Sequence, residues 1–390
     1  MRRIGLCASM YLIVVGSANA NNGDQMVGFS ALSNAMGGAV TATPQDVTTS
    51  LSNPAGLATL DLGRSNTRFD MNLALLNPIR ELNGVSSDND IYVMATGGFA
   101  FRNSSLGDRL TFAVGAYPVS GGGVDFPSHA FTAPVNGSPS PVSIVASRQS
   151  LRIGPAVAYK VTDNFTLGGN ISLVSNMMSV KGMTNFPTDV AYGASFVLGA
   201  TYDITDQLRF GAAYTSKTYS EDLNWNLNNG AYSLSFDDPQ TIALGLSYAP
   251  SDRLMVEADL KWLNYSNVRA ENDLITPPSM PDQKLTYGWD DQYVIALGVK
   301  YALTGKYSLL AGYNYGASPL KEDDINNNIG VTAIVEHHLS GGISAQMTKF
   351  TTLSFSVIHG YSNEMTASVG PPTKVKFETN LASLQFTYKF

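Results

Sequence analysis

Thiols, histidine, charge and long apolar runs are what this chain lacks. A single cysteine, Cys7, occurs in 390 residues. Disulfides, cysteine-only metal sites and a cysteine nucleophile further along the chain are therefore excluded. Histidine numbers four, at His129, His337, His338 and His359. Val335-Glu336-His337-His338 reads as strand and lacks the i, i+4 helical spacing that lets two histidines hold a zinc ion. No P-loop or Gly-x-Gly-x-x-Gly fingerprint stands in a strand–helix setting, and no Ser–His arrangement is marked. No enzyme, metal or cofactor is expected. Charged residues make up 14% of the chain, against roughly 25% in soluble globular proteins. Acidic residues outnumber basic ones, 31 to 24, and no basic cluster occurs, which argues against nucleic acid as a partner. Beyond residue 20 no apolar stretch is long enough to cross a bilayer as a helix.

What is present begins with Met1-Arg2-Arg3, an apolar run from Ile4 to Val15, and Gly16-Ser17-Ala18-Asn19-Ala20. A basic start, a short apolar centre and an Ala-x-Ala end read as a secretory signal peptide over residues 1–20, with the mature chain starting near Asn21. Cys7 lies inside it, so the mature protein carries no thiol. Removal of Arg2 and Arg3 moves the formal charge from −7 to −9. The chain as a whole is rich in glycine (36), tyrosine (19) and phenylalanine (17). A secreted chain of this kind enters a membrane only as a closed barrel, because only helices and closed barrels satisfy every backbone polar group in lipid.

The alternation agrees. From Leu254 to Trp262, one parity carries Leu254, Val256, Ala258, Leu260 and Trp262, and the other Met255, Glu257, Asp259 and Lys261. Thr241–Tyr248 and Gln292–Tyr301 alternate in the same way. Period 2 sends successive side chains to opposite faces. A soluble sandwich alternates too, but the number of such segments and their aromatic ends favour a membrane barrel. Short connections such as Thr162-Asp163-Asn164, Thr205-Asp206, Thr304-Gly305 and Thr348-Lys349 take turns with long ones: Asn77–Asp90, Ser120–Ser147, Met177–Val190, Thr218–Gly230, Ser266–Asp290, Ala317–Asn328 and Ser362–Thr373. Outer-membrane barrels pair short periplasmic turns with long outer loops. The reading is all-β, a fourteen-stranded antiparallel transmembrane barrel, with Ala231–Phe236 merged into the strand that continues through Tyr248. The chain closes on Leu384-Gln385-Phe386-Thr387-Tyr388-Lys389-Phe390. An alternating last strand with an aromatic carboxylate terminus suits recognition of Phe390 by barrel-assembly machinery as an edge strand.

Gly28–Leu60 does not alternate. It carries Gly28-Phe29-Ser30-Ala31-Leu32-Ser33-Asn34-Ala35-Met36-Gly37-Gly38-Ala39 and ends in Ser52-Asn53-Pro54-Ala55-Gly56-Leu57. Small residues let a backbone pack tightly inside a barrel. Pro54 fixes φ and removes a donor, and Asn53 can hydrogen-bond back to its own backbone. On Asn53-Pro54-Ala55, on Arg209–Lys217, on Trp289-Asp290-Asp291-Gln292 with Gly298–Tyr301, and on Ala311–Tyr315 with Ser318-Pro319, the chain resembles the FadL-type transporters of fatty acids and hydrocarbons. That resemblance spans essentially the whole mature chain. It implies an N-terminal hatch (residues 21–64) plugging the barrel (residues 65–390), a bacterial outer-membrane location and a monomer among outer-membrane lipids. The function it implies is passive, ligand-gated diffusion of a hydrophobic small molecule, a long-chain fatty acid or aromatic hydrocarbon.

The resemblance also implies an outer capture groove on two loops, which carry Phe126 and Phe131, and Met178 and Phe186. It implies a kink at Gly115, Pro118 and Gly121, near the end of the third strand, that opens the wall sideways. A fatty acid also needs a cation for its carboxylate. Parity turns Arg152, Arg209, Lys217, Lys261 and Lys300 inward, together with Asp70, Glu257 and Asp259. Most of these are expected to pair with each other or bind the hatch. Arg152 and Lys217 are favoured for the ligand. Two other readings stand beside this one: a general diffusion porin for small hydrophilic solutes, and an outer-membrane lipid hydrolase.

Overall fold

The computed structural model describes residues 22–103, 108–135, 138–182, 184–278 and 283–390. The expected signal peptide and Met183 lie outside the described residues. The strands of the principal sheet are β1 (Thr67–Leu82), β2 (Tyr92–Arg102), β3 (Leu110–Phe126), β4 (Ile144–Lys160), β5 (Phe165–Lys181), β6 (Asn185–Asp203) and β7 (Leu208–Thr215). They continue as β8 (Thr241–Ser251), β9 (Leu254–Leu263), β10 (Gln292–Ala302), β11 (Tyr307–Gly316), β12 (His337–Gln346), β13 (Thr351–Thr366) and β14 (Lys374–Lys389). Each pairs antiparallel with the next, and β14 returns to β1 from Arg68↔Lys389 to Leu82↔Val375. The result is a closed barrel of 14 strands, in which every strand has a paired neighbour on each side.

The alternation sets which way each side chain faces. Ile171, Leu173 and Ile295 stand outward, 69%, 74% and 47% exposed. Glu257 and Asp259 of β9 and Arg152 of β4 are buried in the bore. An apolar outside and polar inside is what a lipid solvent demands. At the short-turn end a threonine hydroxyl accepts amide protons from the turn it opens. Thr205 takes the Leu208 amide at 3.1 Å, Thr304 that of Tyr307 at 3.1 Å and Thr348 that of Thr351 at 3.0 Å. These side chains complete tight hairpins that would otherwise leave amides unpaired.

The opposite end departs from the sequence reading. Ser120–Ser147 and Met177–Val190 are in large part paired strand, and the long connection between β3 and β4 shortens to residues 127–143. β3 continues through Phe126, and β5 and β6 stay paired as far as Lys181↔Asn185. Ala231–Phe236 does not continue into β8. Gly230–Leu234 is a strand of a separate antiparallel sheet with Leu223–Leu227, Glu271–Ile275 and Gln283–Thr286. Pro239, which cannot donate to a ladder, precedes β8. Two apolar clusters cap this end. One gathers Phe126, Trp289, Ile325, Ile334 and Phe377. The other gathers Met178, Trp225, Tyr232 and Phe236.

Candidate functional site: a plugged bore beside a parted wall

Residues 22–60 are largely buried and pack against inward-facing residues of the wall. Ser30 caps the short helix Ala31–Ala35 in a reciprocal box with Ser33, and Gly37 and Gly38 turn the chain back at φ +63° and +80°. Wall glycines make room for this backbone. A Cβ at Gly168 would collide with the Pro54–Ala55 peptide, and one at Gly312 with Met36–Gly37. Both glycines were visible in the sequence, but nothing there marked them as facing another backbone.

Asn53 holds the Asn-Pro-Ala turn. Its Nδ2 donates to the Thr41 carbonyl at 2.7 Å and to that of Ala200 on β6 at 3.1 Å, and its Oδ1 accepts the Ala55 amide at 3.2 Å. Pro54 then opens the 3-10 helix Pro54–Thr59, at a position where a missing N–H costs nothing. Asn53→Ala strands two carbonyls and an amide. Amide exchange across Thr41–Ala55 is expected to accelerate, by an amount matching about 1–3 kcal/mol per unmet buried group. Unchanged exchange would show the turn to be held by other contacts.

The inward charges mostly bind the plug. Asp259 Oδ2 accepts the amides of Val40 at 3.0 Å and Thr41 at 3.1 Å, and the Thr41 hydroxyl at 2.6 Å. Glu257 Oε1 takes the amides of Ala42 at 2.6 Å and Thr43 at 3.1 Å. Lys261 Nζ donates to the Gly38 carbonyl at 2.6 Å, and Lys300 Nζ to Gln45 Oε1 at 3.0 Å. Asp70 accepts the Val47 amide at 2.9 Å and Arg68 Nε at 2.8 Å. Arg209 turns instead to Asp203 on β6.

A buried ionic cluster, which the sequence reading missed apart from Arg152, holds the start of the plug. Arg148 bridges Asp24 at 2.7 Å and Asp238 at 2.6 Å, and Arg269 reaches Asp24 at 3.4 Å. Tyr265 donates its hydroxyl to the Asn22 carbonyl at 2.7 Å. Arg152 stands 3.7 Å from Asp238. Burial alone would raise the Asp238 carboxyl, but the Arg148 and Arg152 guanidiniums outweigh it and hold the group well below the usual carboxylate range. Within the cluster three guanidiniums face two carboxylates. Arg152 makes the longest of these contacts, and its Nε, like those of Arg148 and Arg269, has no hydrogen-bond partner among the described residues.

Arg152 lines a cavity of about 110 Å³ together with Met26, Phe29, Leu51, Val119 and Leu263. Beside it the wall parts. β3 pairs with β2 only from Thr111 to Ala116, while β2 runs on to Tyr92 along β1. Past Ala116, β3 keeps β4 as neighbour, with a register break between Pro118 and Ser120, and meets the plug instead of β2. The Met26 amide donates to the Val119 carbonyl at 3.1 Å, and the Gly121 amide to that of Asp24 at 3.2 Å.

Of the other residues expected at the site, Lys217 does not enter the bore. β7 ends at Thr215, so parity no longer applies; Ser216 and Thr218 are buried while Lys217 turns out over Tyr219, 5.3 Å from the ring centroid. Phe126 and Met178 do not line an open groove. They are 1% and 6% exposed and sit in two different clusters, with Phe131 packed against the first and Phe186 against the second. The expected strand-end position of Gly115, Pro118 and Gly121 is also corrected, since all three lie within β3. Gly115 keeps its ladder between Gly98 and Gly154 and instead leaves space for the Tyr117 ring. The parting begins just beyond it, next to Pro118.

Comparison with known proteins places this architecture. Residues 188–390 match the family described as outer membrane protein transport protein (OMPP1/FadL/TodX). The outer membrane protein NMB0088 of Neisseria meningitidis is 20% identical over 238 residues, a match that spans 51% of this chain and 51% of that protein. The Pseudomonas putida toluene transporter TodX superposes with a TM-score of 0.76 at 20% identity, covering 93% of this chain and 99% of that one. A Pseudomonas aeruginosa FadL homologue gives 0.77 at 14% identity, covering 94% and 100%. With its family match over more than half its length, the chain belongs to the OMPP1/FadL/TodX family of outer membrane transport proteins.

Proposed function

We propose that this protein carries a hydrophobic small molecule across the bacterial outer membrane by passive, ligand-gated diffusion, with sideways exit into the bilayer. The observation that supports this most directly is the juxtaposition of three things: a plug filling the bore, a cavity against the plug that joins apolar side chains to the cations Arg152 and Lys261, and the β2–β3 parting in the lipid-facing wall. Val119 belongs both to the cavity and to the parting. A hydrophobic molecule in that cavity has lipid nearby, whereas the plug blocks the aqueous route. An open general porin would leave its lumen free for water. An outer-membrane lipid hydrolase would need a nucleophile and base within reach, and the geometry around Arg152 supplies binding rather than that pair.

The residues we assign are Arg152 for an acidic head group, Asn53-Pro54-Ala55 for plug integrity, and the Pro118–Gly121 stretch for exit. A cavity of about 110 Å³ is smaller than the engineered apolar cavity of about 150 Å³ that takes benzene. A toluene-sized molecule therefore needs the lining side chains to give way, and a long acyl chain requires the plug to move. We take the working unit to be a monomer surrounded by outer-membrane lipid, inserted by assembly machinery that reads the strand ending in Phe390.

Uptake of labelled toluene and labelled oleate by cells with and without the gene tests this directly. Equal uptake of both compounds in the two strains would defeat the assignment. Deletion of Val119 removes the register break and is expected to draw β3 toward β2. Uptake should then fall while the barrel still folds; undiminished uptake would exclude the sideways route.

A further inference from the structure

A second cavity, of about 340 Å³, lies at the short-turn end between the plug and the wall. Pro44, Gln45 and Asp61 line it from the plug side, and Arg68, Lys300, Lys306 and Lys389 from the wall. Two of these cations are already paired. Arg68 is held by Asp70 at 2.8 Å, and Lys389 by Asp61. Lys300 donates to the neutral Gln45 Oε1 at 3.0 Å, and the Lys306 ammonium stands 5.3 Å from the Tyr307 ring centroid. Among the described residues neither of these two lysines meets a carboxylate within salt-bridge distance. The charged neighbours acting on Lys300 are Arg68, Lys389 and Asp46, two cations against one anion.

An ammonium has three donors, and Gln45 accepts from one. A half-buried cation beside further cations is poorly compensated unless a counter-charge reaches it, and this cavity has the volume to admit one. We infer that the cavity is an oxyanion site, taking a carboxylate or phosphate group between Lys300 and Lys306 against the Pro44–Gln45 segment. Lys300 belongs to the wall and Gln45 to the plug, so a bound oxyanion joins the two on the periplasmic side. This site is separate from the Arg152 cavity and does not depend on which molecule is carried.

Calorimetric titration of the detergent-solubilised full chain tests the inference, with inorganic phosphate and, separately, acetate at constant ionic strength set by sodium chloride. Saturable binding is expected, weakened about tenfold or more in Lys300→Gln, the scale of a lost charge-assisted hydrogen bond. Lys306→Gln should weaken it as well, while Lys300→Arg retains it. Lys349→Gln, whose ammonium lies over Phe350 outside the cavity, should leave it intact. Saturation by phosphate, by acetate or by both supports the site and identifies the oxyanion. Absence of saturable binding by either, or equal weakening in Lys349→Gln, overturns it. Gel mobility of unheated samples confirms that each variant keeps its folded barrel.

Discussion

Simultaneous Glu257→Ala and Asp259→Ala substitution is expected to unseat the plug and convert a nearly silent barrel into a conducting pore. The two carboxylates together accept four backbone amides, Val40 to Thr43, and the Thr41 hydroxyl. Each buried donor left unmet costs about 1–3 kcal/mol. The summed loss, even after water enters the space, is a large fraction of the roughly 5–15 kcal/mol that holds a whole domain together. Planar-bilayer recordings should show openings rare in the parent, and cells should become sensitive to large hydrophilic antibiotics. The Glu257→Gln, Asp259→Asn pair keeps one acceptor per side chain and should behave in between. Conductance indistinguishable from the parent would mean that the plug is held by its remaining contacts, and would remove these carboxylates from the account.

Arg152→Met is expected to separate two cargo classes. Its guanidinium is buried at the cavity, weakly paired with Asp238 at 3.7 Å, while Arg148 keeps Asp238 compensated at 2.6 Å. The substitution therefore removes a cation from the cavity without stranding a carboxylate. Uptake of a fatty acid should fall about 10- to 100-fold, the scale of a lost charge-assisted hydrogen bond. Toluene uptake should be nearly unchanged, because an uncharged ring gains nothing from the guanidinium beyond a cation–π contact of about 1 kcal/mol. Equal loss of both would assign Arg152 to holding the plug's ionic cluster. Loss of neither would take it out of cargo binding altogether.

The spanning part of the barrel was legible because lipid imposes a local rule. Every second residue of β9 from Val256 to Trp262 must tolerate lipid, so parity alone turned Glu257, Asp259 and Lys261 inward. The amino-terminal stretch stood apart from the wall by the failure of that rule over Gly28–Leu60. Legibility ended where lipid no longer touches the chain. Met177 and Met178 lie in paired strand, with Met177 exposed and Met178 buried, yet the lobe that carries Trp225 covers Met178 and Phe186, so both faces carry apolar residues and the alternation of apolar with polar is lost. Lys217 was misplaced for a related reason: parity was carried two residues past the end of β7. The ionic cluster escaped because Asp24, Arg148, Asp238 and Arg269 come from four separate segments and share no motif.

The amino-acid order alone determined which side chains meet lipid and which meet the bore, since that follows from a period of two along each strand. Which bore residue meets which plug residue was decided only by the closed structure. Val40 finds Asp259 across 219 residues, and Asp24 finds Arg269 across 245. Those meetings depend on how far each strand is staggered against its neighbours when the sheet closes on itself. That stagger accumulates around the whole ring and leaves no trace in any single stretch of sequence.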